Sequence, residues 1–420
     1  MKFFDKTVAF IPVRLTSSRL QAKHFKLIGG RYLLSWVIQA IRSAKEVDEI
    51  VICTLDTPEN HEISLIAHQE KVDVFFYNGE EEDVVGRMTA AARLFSAEIC
   101  VLASGDVPLM PSDSIDRLVT LLKENPKAGR ADFSPCEGKE LLHEAFVVAR
   151  RKLWEKADEL SDTPELREHQ FPILYSNPEK FPDFPLIRMQ DDPLYYTLLP
   201  RMSIDTLLDL KFANRIYSLL KESGLTYTYH NAVHFLNRHP EALEINRHVK
   251  QREVKEKILN VVFVVERAED KICIEELSEI HQAFICYFGA KTVFVSRNEK
   301  ICERLSQHGF SSRKIDSDYN ELLDLKKDFP FQILVMDVDS ISQSNTNLLM
   351  EIKKNIGVTT LLSRSSAAEF EEYVDYVISP VEEVIRDIGI KAERSGIYLR
   401  GRASIKKNIP LSTLLGRVLK

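Results

Sequence analysis

Arg14, Arg19 and Lys23 stand together in one polar loop with few acids nearby. The loop follows an apolar run, Val8 to Pro12, that reads as a buried strand. After it come a Gly29-Gly30 turn and an apolar-periodic helix. Backbone N–H groups and fixed cations at the carboxyl end of a strand are a common phosphate cradle in α/β proteins. Arginine offers a fixed fork and lysine a point charge, so by charge alone the loop suits a triphosphate or a sugar phosphate. The plain alternative is a solvated surface loop. Asp106 follows Gly105 directly after the apolar strand ICVLA, and Asp205 repeats the arrangement after MSI. A carboxylate at a strand's carboxyl end is placed for a hard cation, and two acids from distant segments can share one ion. Mg²⁺ takes one or two carboxylates plus substrate phosphates. Helix caps and turns use Asp as well.

Other polar residues are less pointed. Asp56 ends a strand and either binds substrate or caps the turn that follows. The run Glu80 to Asp83 opens a helix, where acids suit the dipole. His169, in LREHQFP, is flanked by charge and could donate to a substrate. No His and Cys cluster at ligand spacing accompanies it, which argues against zinc. No nucleophilic serine or cysteine arrangement presents itself.

The elements that must position these residues follow an α/β rhythm. EIVICTL, VDVFFY and EICVLA read as strands, separated by helical segments over 32–44, 60–69 and within 79–95, which begins acidic. That spacing predicts βαβ units and a mainly parallel sheet. From 125 to 200 many prolines break the rhythm, and this part reads as an insertion that covers the sheet or joins two copies of a homodimer. RMSIDTLLDLKFANRIYSLL reads as a short strand, an acid and a helix. A charged segment around 248–257 reads as a linker, closing a first domain at about 250. From 258 to 420 a second, smaller α/β domain is expected, with strands at ILNVVFVVE, KTVFVSR, FQILVMDVD, VTTLLSR and DYVIS and a helix over 344–356. Its basic tail suits an anionic substrate, a partner surface or plain solvent.

The chain has 420 residues, 44% apolar and 28% charged, with a formal net charge of -7. That balance speaks against general nucleic-acid binding. The six cysteines are scattered without a CxxC pair, which suits buried thiols in a reducing compartment. The N-terminal apolar run is too short for a signal peptide, and no stretch reaches the length of a membrane span. A cytoplasmic protein without membrane insertion is the expectation.

The order and content of the segments carry a resemblance. IPVRLTSSRLQAKHFKLIGGRYLLSWVI resembles the opening of the acylneuraminate (CMP-sugar) cytidylyltransferase family, in particular its spore coat polysaccharide biosynthesis branch. TLDTPEN (54–60), GEEEDVVGRMTAAA (79–92), SGDVPLMPSDSID (104–116), LREHQFPILYSNPEKF (166–181) and SIDTLLDL (203–210) agree in order, so the likeness spans about 7–235. It implies a Rossmann-like nucleotidyltransferase domain with a mixed, mainly parallel sheet. It maps Arg14, Arg19 and Lys23 to the nucleoside triphosphate, and Asp106 and Asp205 to Mg²⁺. Arg14, Lys23 and Asp106 become the catalytic set, and Asp56, Arg87 and His169 the candidate substrate contacts. The family loop usually carries glycines and a proline where this chain has Thr16, Gln21 and Ala22. Losing glycine forfeits easy access to positive φ beside the phosphates. The 258–380 rhythm resembles, weakly, one half of the nucleotide-sugar hydrolases, but ERAEDKICIEE stands where those enzymes carry a glycine-rich loop with a histidine. A binding or assembly module is therefore expected there.

Two functions of different class follow. One is a Mg²⁺-dependent nucleotidyltransferase that activates an anionic sugar or polyol phosphate with CTP and releases pyrophosphate, for surface glycan biosynthesis. The other is a non-catalytic scaffold of a glycan-assembly complex on the same fold.

Overall fold

The computed structural model describes residues 5–15, 20, 22–136, 145–198, 201–247, 249, 259–266 and 280–315 apart from 283 and 286–288, then 321–336 and strands at 359–362, 376–380, 397–401 and 408–410. The chain forms two compact units, Met1–Ser17 with Ala22–Arg247, and Ser18–Gln21 with His248–Lys420.

The first unit opens with β1 (Thr7–Pro12), a buried strand that needs no polar face because it lies inside the sheet. A hairpin, β2 (Leu27–Ile28) and β3 (Arg31–Tyr32), follows, and then α1 (Leu33–Arg42). Gly29 and Gly30 both take positive φ, 58° and 88°, as a two-residue hairpin turn demands. The order continues β4 (Glu49–Leu55), α2 (Ile63–Glu70), β5 (Asp73–Tyr77), α3 (Val84–Leu94), β6 (Ile99–Ala103) and α4 (Ser112–Glu124). β1 pairs in parallel with β4 and with β6, and β4 with β5. The loops after β1, β4 and β6 therefore leave the same end of the sheet.

Residues 125–200 extend that sheet. β7 (Arg130–Phe133), β8 (Phe146–Arg150) and β9 (Leu186–Met189) complete the order β5-β4-β1-β6-β8-β7-β9. β8 runs antiparallel to β6, so the sheet is mixed but mainly parallel. Between β8 and β9 lie α5 (Arg151–Leu160) and the short helices α6 (Pro164–Arg167) and α7 (Ile173–Ser176). Trp154 of α5 stacks on Phe171 with ring centroids 4.7 Å apart, both fully buried under Phe10 and Leu102. Each ring stabilises the unit by ~2–3 kcal/mol through burial and fixes the 166–171 segment against the sheet. α8 (Leu207–Glu222) and α9 (Tyr229–Arg238) end the unit with their own apolar cluster. The expected strand before Asp205 does not form: residues 201–205 run as irregular chain. They gain their place from the Ile204 N–H, which donates to the Asp106 carbonyl at 2.9 Å.

The second unit holds an eight-stranded sheet. β10 (Asn260–Val264), β11 (Lys291–Ser296), β12 (Ser312–Lys314), β13 (Ile333–Met336), β14 (Thr359–Leu362) and β15 (Tyr376–Pro380) lie in the parallel order β12-β11-β10-β13-β14-β15. β16 (Ile397–Gly401) and β17 (Asn408–Pro410) add antiparallel strands from the basic tail, where no strand was expected. Apart from the buried Val249, the expected linker lies outside the described residues, as does the helix over 344–356.

Candidate active site

Lys23, Asp106 and Asp205 meet. The Lys23 ammonium lies 2.5 Å from Asp106 Oδ2 and 3.1 Å from Asp205 Oδ1. β1 and β6 are parallel neighbours, so the loop that carries Lys23 and the turn that carries Asp106 share one sheet end. Gly105 allows the approach. A Cβ there would stand 2.9 Å from the Pro12 carbonyl oxygen and 3.3 Å from the His24 ring. The loop keeps a left-handed residue without glycine: Ala22 has φ 47°, a conformation that costs an alanine about 1–2 kcal/mol.

Asp205 is held by groups that sequence patterns did not point to. Arg201 Nη2 donates to Asp205 Oδ2 at 2.7 Å, and Arg201 Nε donates to Asp209 Oδ1 at 3.0 Å. Asp209 also accepts from the backbone N–H groups of Asp205 and Thr206 and from the Thr206 hydroxyl. Asn246 reaches from beyond α9 to the Asp209 carboxylate and the Arg201 carbonyl. Burial works against the Arg201 charge, but the Asp209 and Asp205 carboxylates outweigh it and hold the guanidinium above its ordinary value. Asp205 is thereby fixed with Oδ1 turned to the cation position.

His24, next to Lys23, is buried and its Nδ1 lies 3.1 Å from the Gly105 carbonyl oxygen. Burial, with help from the Lys23 charge, lowers its pKa from 6.5 to about 3. The unfolded chain thus binds more protons than the folded one between those values, so stability falls as pH drops below about 6.5. From pH 7.5 to pH 5 this group should remove about 2 kcal/mol. Thermal melts across that range test it. A His24→Gln variant should lose that part of the slope, and an unchanged slope would assign the acid sensitivity to other groups.

The remaining candidates have separate surroundings. Arg14 is half-exposed and pairs with Glu81 at 2.8 Å. Arg87 is buried, and its Nε and Nη1 have no hydrogen-bond partner. Burial lowers its pKa, and the neighbouring Arg14 charge adds to that. Asp56 is exposed beside β4 and bonds to His61 at 2.7 Å. His169 is exposed too. Its neighbour Gln170 donates to the Ser104 hydroxyl at 2.7 Å, and Arg167 bonds to Asp83 and Asp158. Asp83 caps α3 through the Gly86 N–H, so the acidic run and the LREHQF segment are tied together. Asn60, in TLDTPEN, accepts from the Leu15 N–H and anchors the start of the loop. Arg19 lies outside the described residues. Burial pushes the Cys53 and Cys100 thiols up, so both stay protonated packing groups. Among the described residues no three of His, Cys, Asp and Glu converge as a metal-binding group, and no helix is long and apolar enough to cross a membrane.

A mixed, mainly parallel Rossmann-like sheet with cations and carboxylates at one end defines a nucleotidyltransferase fold. Residues 8–253 match the cytidylyltransferase family, and the chain belongs to it. An uncharacterised protein of Methanocaldococcus jannaschii is 29% identical over 258 residues, which are 60% of this chain and 98% of that protein. The 3-deoxy-manno-octulosonate cytidylyltransferase of Bdellovibrio bacteriovorus is 28% identical over 138 residues, 32% of this chain. That match spans 54% of the relative, so the chain covers about half the length of that enzyme. A solved cytidylyltransferase from Leptospira borgpetersenii superposes with a TM-score of 0.50 at 23% identity, over 57% of this chain and 96% of that one. At that identity the likeness is one of fold.

Proposed function

We propose that the protein transfers a cytidylyl group from CTP to an anionic sugar or polyol phosphate acceptor for glycan biosynthesis. The observation that carries this reading is the convergence of Asp106 and Asp205 on one cation position, filled by the Lys23 ammonium. Asp106 and Asp205 would hold Mg²⁺, which would supply charge neutralisation at the phosphates when bound. Arg14 and Lys23 would bind the phosphates, with Arg19 from the same loop. Arg87 would turn its two unpartnered donors to an oxygen of the nucleotide or acceptor. The acceptor oxygen, either an ionised phosphate oxygen or a sugar hydroxyl that gives its proton to water, forms a bond to the α-phosphorus in line with the leaving oxygen. The α-phosphorus–oxygen bond to the β-phosphate breaks, and pyrophosphate leaves with the electron pair. Fixed cations stabilise the charge that gathers on the phosphates. Asp56, exposed at the end of β4, and His169, exposed between α6 and α7, would contact the acceptor. The six ordered motifs support the spore coat polysaccharide branch as the narrower assignment.

For the second unit we infer a binding or assembly role in residues 258–420. Open parallel sheets bind ligands at the carboxyl ends of the strands where the order reverses, here beside β10. The residue placed there is Glu266, whose Oε1 accepts from the Arg297 backbone N–H at 3.2 Å and from Arg297 Nε at 3.1 Å.

The test is a screen of the four nucleoside triphosphates against anionic sugars and polyol phosphates with Mg²⁺, read as pyrophosphate release. CTP with one acceptor class should turn over, and CTP alone should not. Silence with every pair would leave the scaffold reading.

A further inference from the structure

We infer that Lys23 is an exchangeable placeholder: its ammonium holds Asp106 and Asp205 together until a divalent cation displaces it and turns it toward the phosphates. The inference rests on the two-acid reading of the site given above. Lys23 Nζ bonds to one oxygen of each acid, at 2.5 and 3.1 Å, and the three side chains are only 14%, 22% and 8% exposed. Two carboxylates this close repel unless a cation lies between them. A hard divalent ion would be held by the same two carboxylates. An ammonium and a divalent ion cannot occupy one position, so one must leave.

The surroundings decide which group moves. Asp205 is fixed from behind by Arg201 on Oδ2 and by Asp209 on its backbone N–H. The Asp106 backbone is fixed through its carbonyl, which accepts from the Ile204 N–H and holds the turn that carries the carboxylate. Lys23 carries its charge on a four-carbon stem with rotatable bonds, so its ammonium can shift while the backbone stays in place. Once displaced from two carboxylates in a part-buried site, the ammonium needs another anion, and the triphosphate is that anion. The ion and the nucleotide therefore favour each other's binding, with Lys23 as the link, and such coupling is reciprocal.

The experiment titrates the full-length protein with Mn²⁺ and no nucleotide, with the free ion followed by electron paramagnetic resonance. Lys23→Met should bind Mn²⁺ about tenfold or more tightly than the unmodified protein, a size usual for coupled sites. Adding Asp106→Asn to it should abolish the gain. Equal or weaker binding in Lys23→Met, with Asp106→Asn still removing the ion, would overturn the exchange and leave the two-acid site standing. Mn²⁺ binding indifferent to Asp106→Asn in both backgrounds would overturn the two-acid reading and the exchange with it. A second measurement does not depend on the variant's folding. Acetylation of Lys23 in the unmodified protein, followed by mass spectrometry, should quicken when millimolar Mn²⁺ replaces EDTA, because the displaced amine becomes accessible. An unchanged rate at saturating Mn²⁺ would overturn the proposal.

Discussion

Asp106→Asn should leave a folded protein whose turnover has fallen by about a thousandfold or more. Loss of a carboxylate that holds a catalytic cation removes several kcal/mol of transition-state stabilisation, and ~4 kcal/mol corresponds to about three powers of ten in rate. The fold should survive for reasons of placement. The Asp106 side chain is 22% exposed and sits beyond the end of β6. What joins the 201–205 segment to this turn is the Asp106 carbonyl, which the substitution keeps. Asparagine retains the shape, and Lys23 keeps Asp205 as a partner. The melting temperature should therefore move by no more than a few degrees, since the lost pair is partly solvated. Pyrophosphate release and circular dichroism melts together test both halves. Near-normal turnover would break the two-acid arrangement, and a collapsed melt would assign Asp106 a structural task.

The parts of the site readable from sequence are those whose signal is local. A continuous apolar run such as VAFIP or ICVLA identifies a buried strand, and a charged residue soon after it is then placed at the sheet's carboxyl end. Asp106 was visible in this way and Lys23 by its place in the loop after β1, Asp205 was visible by analogy although no strand precedes it, and Arg14, visible too, pairs instead with Glu81. Arg201, Asn246 and Gln170 carry no such signal. Each is an ordinary polar residue in irregular chain or at a helix end, and its task exists only once distant segments have met. Asp209 is intermediate. Thr206-Leu207-Leu208-Asp209 has the spacing of a helix capping box, which the structure forms, so its capping task could have been read and its bond to Arg201 could not. The three strands in 125–200 were hidden for a different reason. RADF, FVVAR and LIRM are short and carry charges, and the prolines around them suggest broken structure. Sheet pairing, not periodicity, makes them strands, and the same holds for IYLRG in the basic tail.

Asp209→Ala should be the most damaging single change at the site, lowering stability by about 4–6 kcal/mol and turnover to near background. Asp209 is 1% exposed and accepts from Arg201, Asn246, Thr206 and the Asp205 backbone. Truncation removes the capping box of α8, which alone costs about 1 kcal/mol. The larger part comes from Arg201, a guanidinium only 13% exposed that keeps one carboxylate where it had two. Breaking a buried pair by removing one partner typically costs about 3–5 kcal/mol, because the other charge stays buried. For a unit of this size that is roughly a 10 °C loss in melting temperature. Turnover should fail for a separate reason: with Arg201 and the 205–206 backbone released, Asp205 Oδ1 no longer has a fixed direction. The double variant Arg201→Met, Asp209→Ala separates the two effects. Removing both charges spares the desolvated, half-paired guanidinium, so the double variant should melt higher than Asp209→Ala alone. It should remain inactive, because nothing then orients Asp205. Equal melting of single and double variants would show that the destabilisation comes from the lost cap and not from Arg201. Recovered turnover in the double variant would show that Asp205 needs no holding from behind to meet its cation.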